Sequence, residues 1–168
     1  PHKGVHDLLS ALRRLDDAAL SLTIFGSEAQ DPAYSAGLRR AAAGLPVSFA
    51  GTFAPEATAT MLAGIDVLVI PSTWYENSPL ILLQALATHT PVVISDVAGM
   101  TEFLEPGING FAFRRGDARH LATVLRLFAQ DRGLAARMSA TTGYTRTSRA
   151  MTEDLLAMYA GHGVPVRP

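Results

Sequence analysis

Five short apolar stretches separated by segments of helical periodicity constrain this chain more than any other feature. Leu20-Ser21-Leu22-Thr23-Ile24-Phe25 reads as a strand ended by Gly26, and Val47-Ser48-Phe49-Ala50 as a second ended by Gly51. Val67-Leu68-Val69-Ile70 is a continuous apolar run, the pattern of a parallel strand covered on both faces. Pro91-Val92-Val93-Ile94-Ser95 and Gly110-Phe111-Ala112-Phe113 complete the set. Between and after them, Leu8, Leu9, Leu12 and Leu15 share one helical face, and Leu121, Val124, Leu125 and Phe128 follow the i, i+3, i+4, i+7 rule behind a capping Asp117. Asp131 is placed to cap a helix containing Leu134 and Met138, and Met151, Leu155, Met158 and Tyr159 mark a last one. Strands alternating with helices predict an α/β fold, a Rossmann-like and mostly parallel sheet with helices on both faces.

Composition prunes the functional classes. The 168 residues carry 14 basic against 15 acidic side chains, so the basic stripe of a nucleic-acid binder is not expected. A chain of this length hides roughly two-thirds of its unfolded surface, enough for one domain with a real core. With 48% hydrophobic and 17% charged residues it is too apolar for disorder, and it has no apolar run of membrane-spanning length. Zero cysteines remove disulfides, thiolate catalysis and zinc–thiolate sites. The five histidines, His2, His6, His89, His120 and His162, show no metal-ligand pairing. No Gly-x-Gly-x-x-Gly follows a strand, the one lysine, Lys3, is followed by Gly4 rather than Ser or Thr, and Gly-x-Ser-x-Gly is missing.

Ligands of open parallel sheets bind beyond the carboxyl ends of the strands, so the loops after Phe25, Ala50, Ile70 and Ser95 hold the candidates. The richest is Pro71-Ser72-Thr73-Trp74-Tyr75-Glu76-Asn77-Ser78-Pro79, which leads into a helix with Ser78 as N-cap and Pro79 at the first helical position. Free N–H groups and the helix dipole at such a start favour an anion. Read from the residues alone, Glu76 is either a solvated loop carboxylate or an acceptor for hydroxyl groups such as those of a sugar. Trp74 and Tyr75 are expected to pack the loop rather than stack on a ligand. Lys3 either donates to a phosphate or is solvated.

The segment from Asp66-Val67-Leu68-Val69-Ile70-Pro71-Ser72 through Glu76-Asn77-Ser78-Pro79, with Gln84-Ala85-Leu86-Ala87 and Thr90-Pro91-Val92-Val93-Ile94-Ser95-Asp96, resembles retaining glycosyltransferases of family 4 (glycosyl transferases group 1). Lys3-Gly4, Phe49-Ala50-Gly51-Thr52-Phe53, Ala98-Gly99-Met100-Thr101-Glu102 and Pro106-Gly107-Ile108-Asn109-Gly110-Phe111 extend the resemblance over nearly the whole chain. It is a resemblance to their C-terminal, nucleotide-sugar-binding domain, one half of a GT-B fold. Residues 1–160 are expected to form that domain and 161–168 a loose tail. The N-terminal acceptor domain and this domain's own first strand are expected to lie outside the chain, and the missing strand implies an interior gap in the sheet.

The resemblance implies roles. Glu76 matches a glutamate that hydrogen-bonds the donor sugar, taken here as the catalytic-site residue. Lys3 matches the diphosphate lysine. The backbone of Asn77, Ser78, Leu80 and Ile81 matches the segment around the sugar and diphosphate. Gly26 and Ser27 match the loop near the nucleotide, and Thr52 and Phe53 the segment lining its base. The family's second glutamate, which holds the ribose, is Gln84 here, a departure that keeps a carbonyl acceptor but loses charge. Glu102 matches a glutamate of the Gly-rich turn, and its spacing from Gly99 also reads as a capping box.

The implied chemistry is sugar transfer from a UDP- or GDP-linked donor with retained configuration and no metal or other cofactor. The acceptor would be bound through the N-terminal domain, so this chain alone would bind donor without turnover. The implied location is cytoplasmic, with peripheral membrane contact in the full-length protein and no transmembrane segment. A competing reading is a non-catalytic GT-B-like interaction module whose donor site has degenerated at Gln84, and a further one is a nucleotide-sugar epimerase sharing the fold.

Overall fold

The computed structural model describes residues 2–15, 20–77 and 79–161. Five strands, β1 (Leu22–Phe25), β2 (Val47–Gly51), β3 (Leu68–Ile70), β4 (Val92–Ser95) and β5 (Gly110–Phe113), fall where the apolar stretches predict them. Among the described residues seven α-helices accompany them: α1 (Val5–Leu12), α2 (Pro32–Ala41), α3 (Thr58–Ala63), α4 (Leu80–Ala87), α5 (Ala118–Gln130), α6 (Leu134–Thr141) and α7 (Ser148–Gly161). All pairings are parallel, with Leu22 opposite Val47, Leu68 opposite Val92 and Val93 opposite Phe111. The architecture is the expected α/β, Rossmann-like one.

The strands form two sheets, β1-β2 and β3-β4-β5. Among the described residues no strand pairs with the second edge of β1 or of β3, and the two sheets are not hydrogen-bonded to each other. Helix α1 covers both pieces. Leu8 packs in a cluster that includes Leu22, Val67 and Val69, while Leu9 packs with Ile24, Val47 and Leu38.

In the three-stranded sheet the period of two sorts the side chains between two cores. Val67, Val69, Val93, Phe111 and Phe113 face α1, α5 and α6, whereas Leu68, Ile70, Val92, Ile94 and Ala112 face α3 and α4. Full coverage on both faces belongs to β4, whose four residues are all buried, and not to β3. The reason is position, since β3 lies at a sheet edge and β4 between two neighbours. In the smaller sheet Leu22, Ile24, Val47 and Phe49 turn toward α1 and α2. Thr23 and Ser48 turn to solvent and hydrogen-bond each other at 3.1 Å.

Helix ends follow local chemistry with small departures. The Asp117 carboxylate accepts the N–H groups of Arg119 and His120, as expected for a cap. Asp131 sits too far ahead of α6 to cap it; its carboxylate takes the Gly133 N–H and the Arg137 guanidinium instead. Asp31 caps α2 by accepting from Tyr34 N, with Pro32 at the first position. Helix α4 begins at Leu80 with Pro79 as its cap residue, one position later than the sequence suggests, and Ser78, the expected N-cap, lies outside the described residues. The short 3-10 turn at Thr101–Phe103 carries no side-chain cap, so the capping box read for Glu102 does not form.

Leu15 packs on the core beyond the end of α1 rather than within it. Helix α7 buries nothing; Met151, Leu155, Met158 and Tyr159 are all exposed. The helix runs to Gly161, the first residue of the expected tail 161–168, and residues 162–168 lie outside the described residues. Among the described residues no helix is long and apolar enough to cross a membrane.

Candidate functional site

The chain's amino-terminal segment is fastened to the loop that follows β3. Thr73 donates to the His2 carbonyl twice, from its backbone N–H at 2.8 Å and from Oγ1 at 3.0 Å. Gly4 is pressed against the Pro71 carbonyl so closely that a Cβ placed there would lie 1.8 Å from the oxygen, and its φ of 67° is one that favours glycine. These contacts deliver Lys3 to the loop. Lys3 Nζ donates to Glu76 Oε1 at 2.6 Å across 73 residues of sequence. The same oxygen accepts from Ser72 Oγ at 2.8 Å.

Glu76 is therefore no solvated loop carboxylate. Its side chain is 15% exposed, against 61% for Lys3. Burial alone would push its carboxyl upward. The hydrogen bonds from Lys3 and Ser72, with the positive charges of Lys3 and His2, outweigh that and hold it below the usual value. Ser72 and Ser95 are completely buried, and Ser95 Oγ donates to the Ser72 carbonyl at 2.5 Å. Both serines lie in the stretches that carry the family resemblance, but neither has a role assigned by it. A serine within a loop and another at a strand end carry no local signal, and only the pairing of β3 with β4 brings them together.

Beyond Glu76 the chain enters α4. Its first backbone acceptor, the Pro79 carbonyl, is taken by Leu82 N at 2.9 Å, which leaves the N–H groups of Leu80 and Ile81 ahead of the ladder. Asn77 is exposed and Leu80 is 72% exposed, so this end of the helix is open to a ligand. Leu82, Ala85 and Leu86 bury the opposite face of α4, each leucine worth roughly 1.5–3 kcal/mol. Gln84 is exposed on the next turn.

The aromatic residues depart from expectation. Trp74 and Tyr75 do not pack the loop into the core; they are 67% and 65% exposed. The residues this loop buries are Pro71 and Ser72. Tyr75 faces the Arg115 guanidinium at 5.5 Å, and Arg115 N donates to Asp96 Oδ1, tying the loop after β3 to those after β4 and β5.

The remaining site residues gather at the ends of β1 and β2. Gly26 N donates to Gly51 O at 2.8 Å, which sets Gly26 and Ser27 beside Thr52 and Phe53, all exposed. Phe53 meets Phe25 edge-on at 5.4 Å between ring centres. The structure thus places Lys3, Glu76, Asn77, Leu80 and Gln84 around one loop and helix, and Gly26, Ser27, Thr52 and Phe53 around a second loop pair. Three histidines have local roles: His6 pairs with Tyr34 Oη, His89 with the Thr142 carbonyl and His120 with Arg114 N. A cavity of about 250 Å³ is lined by residues that precede β3 and β4, among them Asp66 and His89, together with Arg132 and residues of α6, at the opposite end of these strands from Glu76.

The family model described as Glycosyl transferases group 1 matches residues 1–131. The lipopolysaccharide core biosynthesis glycosyltransferase LpsE of Rhizobium meliloti is 32% identical over 139 residues, 82% of this chain and 39% of that protein. The glycogen synthase of Mycobacterium tuberculosis is 31% identical over 137 residues, 80% of this chain and 33% of its own length. Among solved structures, Anabaena HepE in complex with UDP-glucose superposes with a TM-score of 0.79 at 21% identity, covering 96% of this chain and 46% of HepE. The chain thus spans less than half the length of each of these proteins. With the family model matched over most of the chain and LpsE 32% identical over 82% of it, this chain belongs to the glycosyl transferases group 1 family.

Proposed function

We propose that this domain binds a nucleotide-diphosphate sugar and that the full-length protein transfers the sugar to an acceptor with retained configuration. The observation that carries the reading is the Lys3–Glu76 pair at the carboxyl end of β3, beside the open amino end of α4. A diphosphate needs cationic and N–H donors, and Lys3 with the first amides of α4 supplies both. A sugar offers hydroxyl donors, and the ionised Glu76 carboxylate is an acceptor held in place for them. In this reading Glu76 positions the sugar and stabilises charge that develops at its anomeric carbon. Thr52, Phe53, Gly26 and Ser27 face the nucleotide. The HepE structures contain UDP and UDP-glucose, which favours uracil as the base. Retention on the donor's front face rests on the family resemblance, and the acceptor is assigned to a domain outside this chain.

The sole tryptophan, Trp74, lies two residues before Glu76 and is largely exposed, so it serves as the reporter. Titration with UDP, GDP and ADP should change its fluorescence saturably for one nucleotide, and Lys3→Ala should weaken that binding. No change with any of the three, confirmed by calorimetry, would overturn the donor-site reading.

A further inference from the structure

We infer that Ser72 is the positioning residue of this site, holding the Glu76 carboxylate in place from inside the fold while Lys3 is free to leave it. This rests on the reading of Glu76 as the donor-sugar acceptor. Two groups donate to the same Glu76 oxygen, and they differ in kind. Lys3 reaches it from solvent on a flexible four-carbon stem. Ser72 reaches it from a completely buried position at the end of β3.

The Ser72 hydroxyl has one proton and two acceptors within reach, Glu76 Oε1 at 2.8 Å and the Trp74 carbonyl at 3.2 Å. The shorter, charge-assisted bond to the carboxylate takes it. The Trp74 N–H in turn approaches Ser72 Oγ at 3.4 Å, so the hydroxyl lies within a tight turn. The residue itself is held by Ser95, whose Oγ donates to the Ser72 carbonyl from the end of β4. A line of hydrogen bonds therefore runs from the buried strand β4, through Ser95 and Ser72, to the Glu76 carboxylate. No buried side-chain polar atom among the described residues lacks a partner, so this line carries no unsatisfied member.

Rigidity and exposure assign the two donors different work. A diphosphate arriving at α4 competes with Glu76 for the Lys3 ammonium, and an exposed lysine exchanges partners at little cost. The Ser72 bond has no such competitor, because its donor is sealed from solvent. When Lys3 turns to the phosphates, Ser72 keeps the carboxylate ionised and aimed, and the second Glu76 oxygen is left for a sugar hydroxyl. The bond therefore selects for the sugar part of the donor rather than for the nucleotide.

The test uses the full chain with Ser72→Ala. A carbon-13 pH titration of the Glu76 carboxyl, assigned with Glu76→Gln, should show its midpoint moved upward. Calorimetry should show binding of UDP-glucose weakened about tenfold, as for loss of a hydrogen bond to a charged group, with UDP changed less than twofold. An unchanged Glu76 midpoint overturns the proposal, as does an equal loss for UDP and UDP-glucose, which would mark general damage to the loop. If the wild-type chain binds neither compound, the donor-site reading fails by itself, and the titration still decides whether Ser72 holds Glu76. Should the alanine variant not fold, Ser72→Cys keeps the volume while replacing the hydroxyl by a weak donor, and the same upward movement is expected.

Discussion

Gly99 backs directly onto the Glu76 carbonyl, close enough that a Cβ built on Gly99 would fall 1.7 Å from the oxygen. The φ of Gly99 is +84°, a conformation that L side chains rarely adopt. Gly4 stands in the same relation to the Pro71 carbonyl at the other end of the loop. The loop bearing Glu76 is thus clamped at both ends by glycines remote in sequence. Gly99→Ala should cost about 1–3 kcal/mol in backbone strain alone and should also displace Glu76, abolishing the Trp74 fluorescence response to nucleotide. Gly44→Ala is the control. It shares a positive φ of 76° but has nothing within 4 Å of the added carbon, so it should lose stability without losing binding.

The Lys3–Glu76 bond predicts a pH dependence with a definite sign. The Glu76 carboxyl is lowered below its ordinary value of 4.5 in the folded chain, burial opposing the shift and Lys3 and Ser72 overcoming it. Its contribution to stability is therefore present above about pH 4.5 and is lost as the pH falls through the lowered value. Chemical unfolding of wild type and Glu76→Gln at pH 7 and at pH 3 should give a stability difference that shrinks at the lower pH. Lys3→Ala should move the Glu76 carboxyl upward. A difference independent of pH would contradict the pairing.

Gln84 is exposed on α4 one turn beyond the open helix end, where the family resemblance places a ribose-binding glutamate. Gln84→Glu should tighten UDP binding about fivefold, the ratio corresponding to the roughly 1 kcal/mol that separates charged from neutral hydrogen bonds. Isothermal titration of the two proteins with UDP measures it. No gain would show that the glutamine serves as well as the carboxylate.

The core and the last helix should respond oppositely to truncation. Phe113 on β5 is 1% exposed and packs with Leu8, Val93 and Leu121, so Phe113→Ala should cost about 3–5 kcal/mol in denaturant unfolding. Leu156 on α7 is 41% exposed with no buried neighbour on its helix, and Leu156→Ala should stay within about 0.5 kcal/mol of wild type.

The local pattern of residues determined the elements. Short apolar stretches at 22–25, 47–51, 68–70, 92–95 and 110–113 became strands, because successive side chains of a strand point to opposite faces wherever the strand is placed. The i, i+3, i+4, i+7 set from Leu121 to Phe128 and the carboxylate of Asp117 specified α5 in the same way. The Glu76 loop was legible as a candidate because a parallel strand running into a helix start marks where ligands bind. Tertiary structure decided what those elements do to one another. It made β4 rather than β3 the fully buried strand, divided the strands into two sheets beneath α1, and left Trp74 and Tyr75 in solvent. It alone joined Lys3 to Glu76 and set Ser95 beneath Ser72. Periodicity is a property of a few neighbouring residues, whereas these contacts join loops up to 73 residues apart through the packing of every element between them.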